Sequence, residues 1–484
     1  MKSSAVTEIL DEAAAQCPDR TALRDHHTVW NYSTFRSMTL RCACWLRDAG
    51  VRPGDHVVVH APQSIRSLAL LFGTLRLGAV FVPLPAVGAF QREPIRAELA
   101  PAVEVSDGAE VADTVDLDRL WPAIESSPDD LLDYHPEPHD PAVLMYTSGS
   151  TSVPKAVVCP HSAILFVVNA IAERLTYRFD DVVVSAVPLS FDYGLYQVLL
   201  TTLSRAELVL AAETKLSLFA TLVEHKATVV PVIPSVAEGL CALARRTADR
   251  PPVRLFTTTG APMHAPTLAR LRTTFPLAQV SLMFGLTECK RVSVLEPDGD
   301  LTRTGSVGRP LTGTEVVIID PTGRPRAPGE IGEIVVRGPH VMSGYWRAPE
   351  ITARRFRRTR QGDTELHTGD YGYLDSDGYL YFTGRLDDLF KLRGTRVSGT
   401  EITAAALDVP AVREAAVVPD RDGPDATIFI TGELTGAQFL RDIAQRLGSA
   451  KTPRHCRKLD QMPRTSNGKV DFTRLRDLVD GPRP

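Results

Sequence analysis

The segment Tyr146-Thr-Ser-Gly-Ser-Thr-Ser-Val-Pro-Lys155 follows the apolar run AVLMY and is crowded with hydroxyls and turn formers. A loop of this kind after a buried strand can offer N–H and O–H donors to phosphate oxygens, and the lysine at its end adds a point charge. The GxxxxGK[ST] pattern is absent, so this is not a Walker loop, and taken alone the commoner reading is solvated surface. Met283-Phe-Gly-Leu-Thr-Glu288 stands at the end of another apolar run. There Thr287 can donate to a phosphate oxygen, and Glu288 is a hard oxygen ligand of the kind Mg²⁺ takes together with nucleotide phosphates. Leu366-His-Thr-Gly-Asp370 ends on an aspartate that can accept two hydrogen bonds from ribose hydroxyls, or else cap a turn or helix. Gly384-Arg-Leu-Asp-Asp-Leu-Phe-Lys-Leu-Arg-Gly-Thr-Arg396 mixes charges around glycines, as a charged interdomain linker would. Pro463-Arg-Thr-Ser-Asn-Gly-Lys469 sets a lysine on permissive backbone, suited to a mobile loop tip or to a frayed tail.

The elements that must position these segments are legible from periodicity. EILDEAAAQC and YSTFRSMTLRCACWLRD have helical spacing, HVVVHAP is a buried strand, SIRSLALLFGTLRLG a helix and AVFVPLP a strand. This βαβ rhythm predicts parallel sheet covered by helices. Residues 101–140 are acidic and proline-rich, a variable connection with room for one short strand. The rhythm resumes in AVLMY, DVVVSAVP, AELVLA, ATVVPVIP, VRLFTTT and AQVSLMF. From about residue 302, EVVIID, GEIVVRG and YLYFTG joined by turn sequences predict antiparallel strands. An α+β tail follows, with a domain boundary near Asp387.

Composition narrows the class. Of 484 residues, 44% are hydrophobic and 23% charged, which excludes wholesale disorder. A formal net charge of −4 gives no footprint for nucleic acid or a membrane surface. No apolar run is long enough to span a bilayer, and MKSSAVTEILDEAAAQ lacks a signal-peptide core, so a cytoplasmic protein is expected. The seven cysteines form no metal-ligand spacing and read as reduced, buried thiols. Only nine of the 54 basic residues are lysine, so each retained lysine stands out.

In their order and separations the five segments resemble the adenylate-forming superfamily: acyl-CoA synthetases, adenylation domains of nonribosomal peptide synthetases and firefly luciferase. The resemblance runs from about residue 20 to residue 476. It implies an α/β protein: a large N-terminal domain, residues 1–386, with parallel α/β subdomains and a small β subdomain, then a small mobile α+β domain, residues 387–484. It implies ATP and Mg²⁺ as cofactors. ATP and a carboxylic acid would give an acyl-adenylate and pyrophosphate, and a phosphopantetheine thiol would then take the acyl group. In that chemistry two anions must meet, so positioning and charge neutralisation dominate. By resemblance Thr147, Ser148, Gly149, Ser150, Thr151 and Lys155 would hold the β- and γ-phosphates, Thr287 the α-phosphate and Glu288 the Mg²⁺. Phe284 would stack on adenine beside Gly285, with Gly260, Ala261 and Pro262 lining the slot. Asp370 and Arg385 would take the ribose. Lys469 would bridge the α-phosphate and the substrate carboxylate. Asp387 matches the family's hinge, and Gly394 and Arg396 would face the pantetheine arm. Two departures stand out: Ser152 and Ala156 occupy positions where the family carries glycine.

Val187-Pro-Leu-Ser-Phe-Asp192 is the stretch that bears on the acid. In amino-acid-activating members of the family the matching aspartate binds the substrate ammonium. A buried carboxylate needs such a cation, unless it caps the helix starting near Gly194. Tyr196, Thr257, Thr259, Met283, Arg291 and Val292 would line the rest of the pocket. Lys290 and Arg291 directly follow FGLTEC, and an arginine there would bind a second anionic or polar group, or else face solvent or a carrier protein. The expected protein is a stand-alone ligase loading a probable amino acid onto a carrier protein in a biosynthetic pathway. The alternatives are an acyl- or aryl-CoA ligase using free coenzyme A, a non-catalytic ATP-binding descendant, and an enzyme passing its adenylate to an amine or oxygen.

Overall fold

Two largely parallel sheets carry most of the first 300 residues. The computed structural model describes residues 4–480 except 63, 86–91, 109, 110, 112, 131–133, 148–154, 212, 213, 248, 360, 386–388, 394, 410, 421, 422, 424 and 465–469, with the backbone alone at 215, 389, 396, 401 and 480. The first sheet has six strands in the order Val115–Asp116, Val103–Ser106, His56–His60, Val80–Leu84, Pro141–Thr147, Lys155–Pro160. All pairs are parallel until the last, which turns back antiparallel and sets Thr147 opposite Lys155. The second has nine strands. Its parallel centre runs Gln279–Phe284, Leu255–Thr258, Val229–Val232, Val182–Ser185, Glu207–Leu210, Thr21–Arg24, with antiparallel strands at both edges. These central strands are nearly continuous apolar runs because helices cover both faces.

Helix ends follow local chemistry. The Asn31 side chain accepts the Thr34 N–H at 2.7 Å and starts helix Tyr32–Asp48, an N-cap interaction. Phe35, Cys42 and Leu46 turn its apolar face to the core.

Residues 101–140 hold more structure than their composition predicts: two short strands, Val103–Ser106 and Val115–Asp116, and helix Leu117–Glu125. Asp116 caps that helix, Pro122 sits inside it, and buried Trp121 stacks on Trp30 at 5.8 Å. A helix this short with an internal proline gives almost no periodic signal.

The antiparallel texture after residue 302 forms a five-stranded sheet. Thr364–Leu374, its longest strand, pairs with Gly332–Arg337, Phe356–Arg358 and Leu380–Arg385. A hairpin, Leu389–Leu392 with Thr395–Ser398, leads into a three-stranded sheet of Val412–Pro419, Ala426–Gly432 and His455–Lys458, flanked by helices Gly399–Leu407, Gly436–Leu447 and Phe472–Asp480. The protein thus has a large α/β N-terminal domain and a small α+β C-terminal domain. One apolar core joins Phe81, Leu208, Val229, Ile318 and Ile334, and so reaches into all three N-terminal sheets. The C-terminal sheet has cores of its own, built from residues such as Ile428, Ile430 and Phe439, and Val418, Phe429 and Leu475. Among the described residues no helix is long and apolar enough to cross a membrane.

Candidate active site

Strands Val182–Ser185, Leu255–Thr258 and Gln279–Phe284 run parallel, so their carboxyl ends open on one side of the sheet. In open α/β sheets that is where ligands bind. The segments following those ends are the ones with reactive residue types: Asp192, Gly260-Ala261-Pro262, and Gly285 to Arg291.

The turn after Phe284 is tight. A Cβ on Gly285 would overlap the Lys290 carbonyl oxygen, so glycine lets the chain fold back on itself here. The Val292 N–H then donates to the Phe284 carbonyl at 2.8 Å. Phe284 lies 5.4 Å from the ring of Phe382, and Gly260 and Pro262 are exposed at the neighbouring strand end.

Glu288 is buried. Its carboxylate accepts a hydrogen bond from the Tyr345 hydroxyl at 2.5 Å and lies 3.6 Å from the Arg355 guanidinium. Arg355 also donates to the carbonyls of His367, at 3.2 Å, and Thr368. Burial alone would lower the Arg355 pKa, but the Glu288 and Asp370 carboxylates and the Tyr345 oxygen beside it outweigh that and hold it above the usual value. Burial first, then the Glu288 charge, pushes the Tyr345 hydroxyl well up, so it stays a donor. Lys155 Nζ sits 5.7 Å from the Tyr345 ring centroid, bringing the end of the hydroxyl-rich segment to the same cluster. One buried carboxylate, with no group of three or more potential metal ligands among the described residues, suits a Mg²⁺ ion that arrives with nucleotide phosphates.

Asp370 is buried in the middle of strand Thr364–Leu374, not at a turn or helix cap. Strand pairing sets Arg385 opposite it, with the guanidinium 3.6 Å from the carboxylate. Ala156 lies in strand Lys155–Pro160 with its methyl packed against Leu144 and Tyr146, and its carbonyl accepts the Trp346 N–H at 2.8 Å.

The second cluster surrounds Asp192. Helix Asp192–Ser204 begins at that residue, its N-cap is Phe191, and no side chain caps it, so Asp192 is not the cap. A Cβ on Gly194 would overlap the carbonyls of Val187 and Pro188, so glycine draws this helix onto the preceding turn. Asp192 is 5% exposed and lies 3.8 Å from Arg291, whose guanidinium is 5.3 Å from the Tyr193 ring centroid. The Tyr193 hydroxyl donates to the Thr257 carbonyl at 2.6 Å and meets the Thr257 hydroxyl at 2.8 Å. Lys290 is 1% exposed, at φ +61°, with Nζ 5.7 Å from the Tyr196 ring centroid. Thr259, Met283 and Val292 are buried at the adjoining strand ends.

The structure therefore gathers Lys155, Glu288, Asp370 and Arg385 around Tyr345 and Arg355, with Thr287 half-buried beside Glu288 in the chain, and gathers Asp192, Tyr196 and Arg291 in a second cluster. Ser148, Gly149, Ser150, Thr151, Ser152, Asp387, Gly394 and Lys469 lie outside the described residues, as does the Arg396 side chain. Sequence reasoning missed Tyr193, Tyr345 and Arg355. The only available signal was the adjacency of Tyr193 to Asp192; the other two reach Glu288 through tertiary packing.

Residues 10–346 match the model of the AMP-binding enzyme family, and residues 401–469 that of the AMP-binding enzyme C-terminal domain. A feruloyl-CoA synthase of Amycolatopsis sp is 32% identical over 94% of this chain and 95% of its own. An L-proline–[L-prolyl-carrier protein] ligase of Pseudomonas fluorescens is 28% identical over 98% of this chain and 99% of its own. The solved complex of VinN with L-aspartate is 39% identical, with a TM-score of 0.72 over 79% of this chain and 99% of that one.

Proposed function

We propose, from the premise that the chain belongs to the AMP-binding enzyme family, that it activates an amino acid and hands it to the phosphopantetheine thiol of a carrier protein. That it is an AMP-forming ligase follows from the family itself. The amino-acid reading rests on one observation: Asp192 is a buried carboxylate with no capping role that faces Arg291 at 3.8 Å without a hydrogen bond, and so keeps acceptor capacity for a substrate ammonium. The carrier-protein ligase and the L-aspartate complex among the relatives support it.

In the first step a substrate carboxylate oxygen attacks the α-phosphorus of ATP and the bond to the β-phosphate breaks, releasing pyrophosphate. Thr147 and Lys155, with Ser148–Thr151, would hold the β- and γ-phosphates. Thr287 would donate to the α-phosphate and Lys469 would neutralise the charge that grows there; such a donor contributes about 10²–10³ in rate. Glu288, oriented by Tyr345, would hold Mg²⁺, which supplies charge neutralisation at the phosphates. Phe284 and Gly260–Pro262 would enclose adenine, and Asp370 with Arg385 the ribose. In the second step the thiolate attacks the acyl carbon and AMP leaves. A boundary at Asp387 would let the C-terminal domain withdraw Lys469 and present Gly394 and Arg396 to the pantetheine arm. The seven unpaired thiols fit a cytoplasmic setting.

A CoA-ligase reading is favoured by the feruloyl-CoA synthase relative. ATP–pyrophosphate exchange against amino acids and against carboxylic acids lacking an amino group separates the two. Exchange only with the second pool would overturn the amino-acid reading. Thioester formation with carrier protein against free coenzyme A then identifies the acceptor.

A further inference from the structure

The acid pocket holds more positive charge than its own carboxylate balances. Lys290 and Arg291 are 1% and 4% exposed, and among the described residues Asp192 is the one carboxylate within ion-pair distance of either, 3.8 Å from Arg291. Lys290 Nζ, Arg291 Nε and the Tyr196 hydroxyl are all buried without a hydrogen-bond partner among the described residues. The Lys290 ammonium sits beside the Cys159 thiol and over the Tyr196 ring, and the three residues face a small cavity otherwise walled by apolar side chains such as Leu71, Val143 and Leu195. An ammonium removed from water without a counter-charge is among the costliest groups a fold can hold. Lysine also adopts φ +61° here, a left-handed conformation it rarely takes. Strain and an orphaned charge at one residue, next to the FGLTE turn, mark a place kept for a ligand.

The charge balance of the cluster points to that ligand's chemistry. Without substrate the cluster carries two cations and one carboxylate. The ammonium of an amino acid would pair with Asp192, and its reacting carboxylate belongs at the α-phosphate side of the crevice. Asp192 then answers both that ammonium and Arg291, and the cluster holds three cations against one carboxylate. We propose that the substrate is an amino dicarboxylic acid whose second, unreacted carboxylate is bound by Lys290 and Arg291, with the Tyr196 hydroxyl as a further donor. This rests on the amino-acid reading above and extends it: the pocket reads an ammonium and two carboxylates, one of them activated. A planar guanidinium and an ammonium around one carboxylate would also reject neutral side chains, since each would leave Lys290 without an anion and Arg291 sharing Asp192 with the substrate ammonium.

The test is ATP–pyrophosphate exchange with the purified full-length protein and six acids: L-aspartate, L-glutamate, L-alanine, β-alanine, L-asparagine and succinate. One of the two amino diacids should support exchange with kcat/KM at least about 10²-fold above alanine, β-alanine and asparagine. Equal or better exchange with a neutral amino acid overturns the diacid proposal and leaves the amino-acid reading standing. Preference for succinate over both amino diacids overturns both. Failure of both amino diacids to support exchange overturns the proposal as well. Lys290→Met should raise KM for the preferred diacid by about 30-fold or more while leaving the thermal midpoint unchanged or higher, because it deletes an unpaired buried charge. An unchanged KM refutes the assignment. Should that variant fail to fold, Arg291→Gln carries the same KM test, with asparagine gaining on aspartate as the expected result and an unchanged ratio overturning it.

Discussion

Replacing Asp192 with asparagine removes one negative charge and almost no volume. Two cations would feel the loss. One is Arg291, whose guanidinium lies 3.8 Å away. At an effective dielectric of about 20 that contact is worth about 4 kcal/mol of Coulomb attraction. Breaking a buried pair of this kind costs about 3–5 kcal/mol of stability, because the remaining charge stays buried. The other cation is the substrate ammonium. At 3.8 Å the carboxylate and Arg291 are not hydrogen-bonded, so Asp192 keeps acceptor capacity for an N–H donor. Losing that partner should cost about 2–5 kcal/mol in transition-state binding, a drop of about 30- to 5000-fold in kcat/KM. The decisive assay is pyrophosphate exchange with the amino acid and with its analogue carrying hydrogen in place of the ammonium. Asp192→Asn should lower the first by the stated factor and leave the second nearly unchanged. Urea unfolding of the single and double variants with Arg291→Met separates the structural share: the second substitution should restore most of the lost stability. An equal fall for both acids, or no fall for either, refutes the ammonium site.

Lys469→Ala should abolish adenylate formation and spare thioester formation from a supplied acyl-adenylate; survival of both steps in a coupled assay removes the lysine from the chemistry. Tyr345→Phe should raise the Mg²⁺ concentration needed for half-maximal exchange by about 10-fold or more, because it unfastens the Glu288 carboxylate; an unchanged Mg²⁺ titration rules out that orienting role. Burial lowers the His161 pKa from 6.5 to about 4, and its Nδ1 accepts the Val6 N–H at 3.2 Å. The unfolded chain therefore takes up this proton first, and stability falls as pH drops through that window, by about 2 kcal/mol between pH 7 and 5. His161→Gln should shrink the pH dependence of the urea midpoint by that amount, and an unaltered slope would show that the imidazole does not carry it.

Much of the architecture is visible in the sequence because the central strands, such as Val182–Ser185 and Val229–Val232, are unbroken apolar runs between turn residues. The reactive segments are visible for a related reason: each is short and contiguous, and YTSGSTSVPK and FGLTE directly follow such runs. What escapes is whatever depends on contact between distant positions. Glu288 is held by Tyr345 and Arg355 from an unrelated part of the chain, and nothing local to either marks it. Lys290 reads as a polar residue after a motif, and only its packing against Tyr196 and Cys159 shows it to be buried and unpaired. Helix Leu117–Glu125 is hidden by its brevity and by Pro122. Asp370, which a turn could equally have claimed, belongs to a strand because Gly332–Arg337 and Leu380–Arg385 pair on both sides of it.

The division of the apolar cores has a kinetic consequence for the backbone amides. One core is shared by all three N-terminal sheets, and strand Lys155–Pro160 is tied to the 343–346 segment by bonds such as Trp346 N–H to Ala156 carbonyl. No one of these sheets can open without exposing apolar surface on the others, so their slowest-exchanging protons should share a single opening free energy. The strands Val412–Pro419 and Ala426–Gly432 rest on cores made only of C-terminal residues. Their amides should exchange through a cheaper, separate opening, giving two isotope envelopes with different urea slopes in one chain.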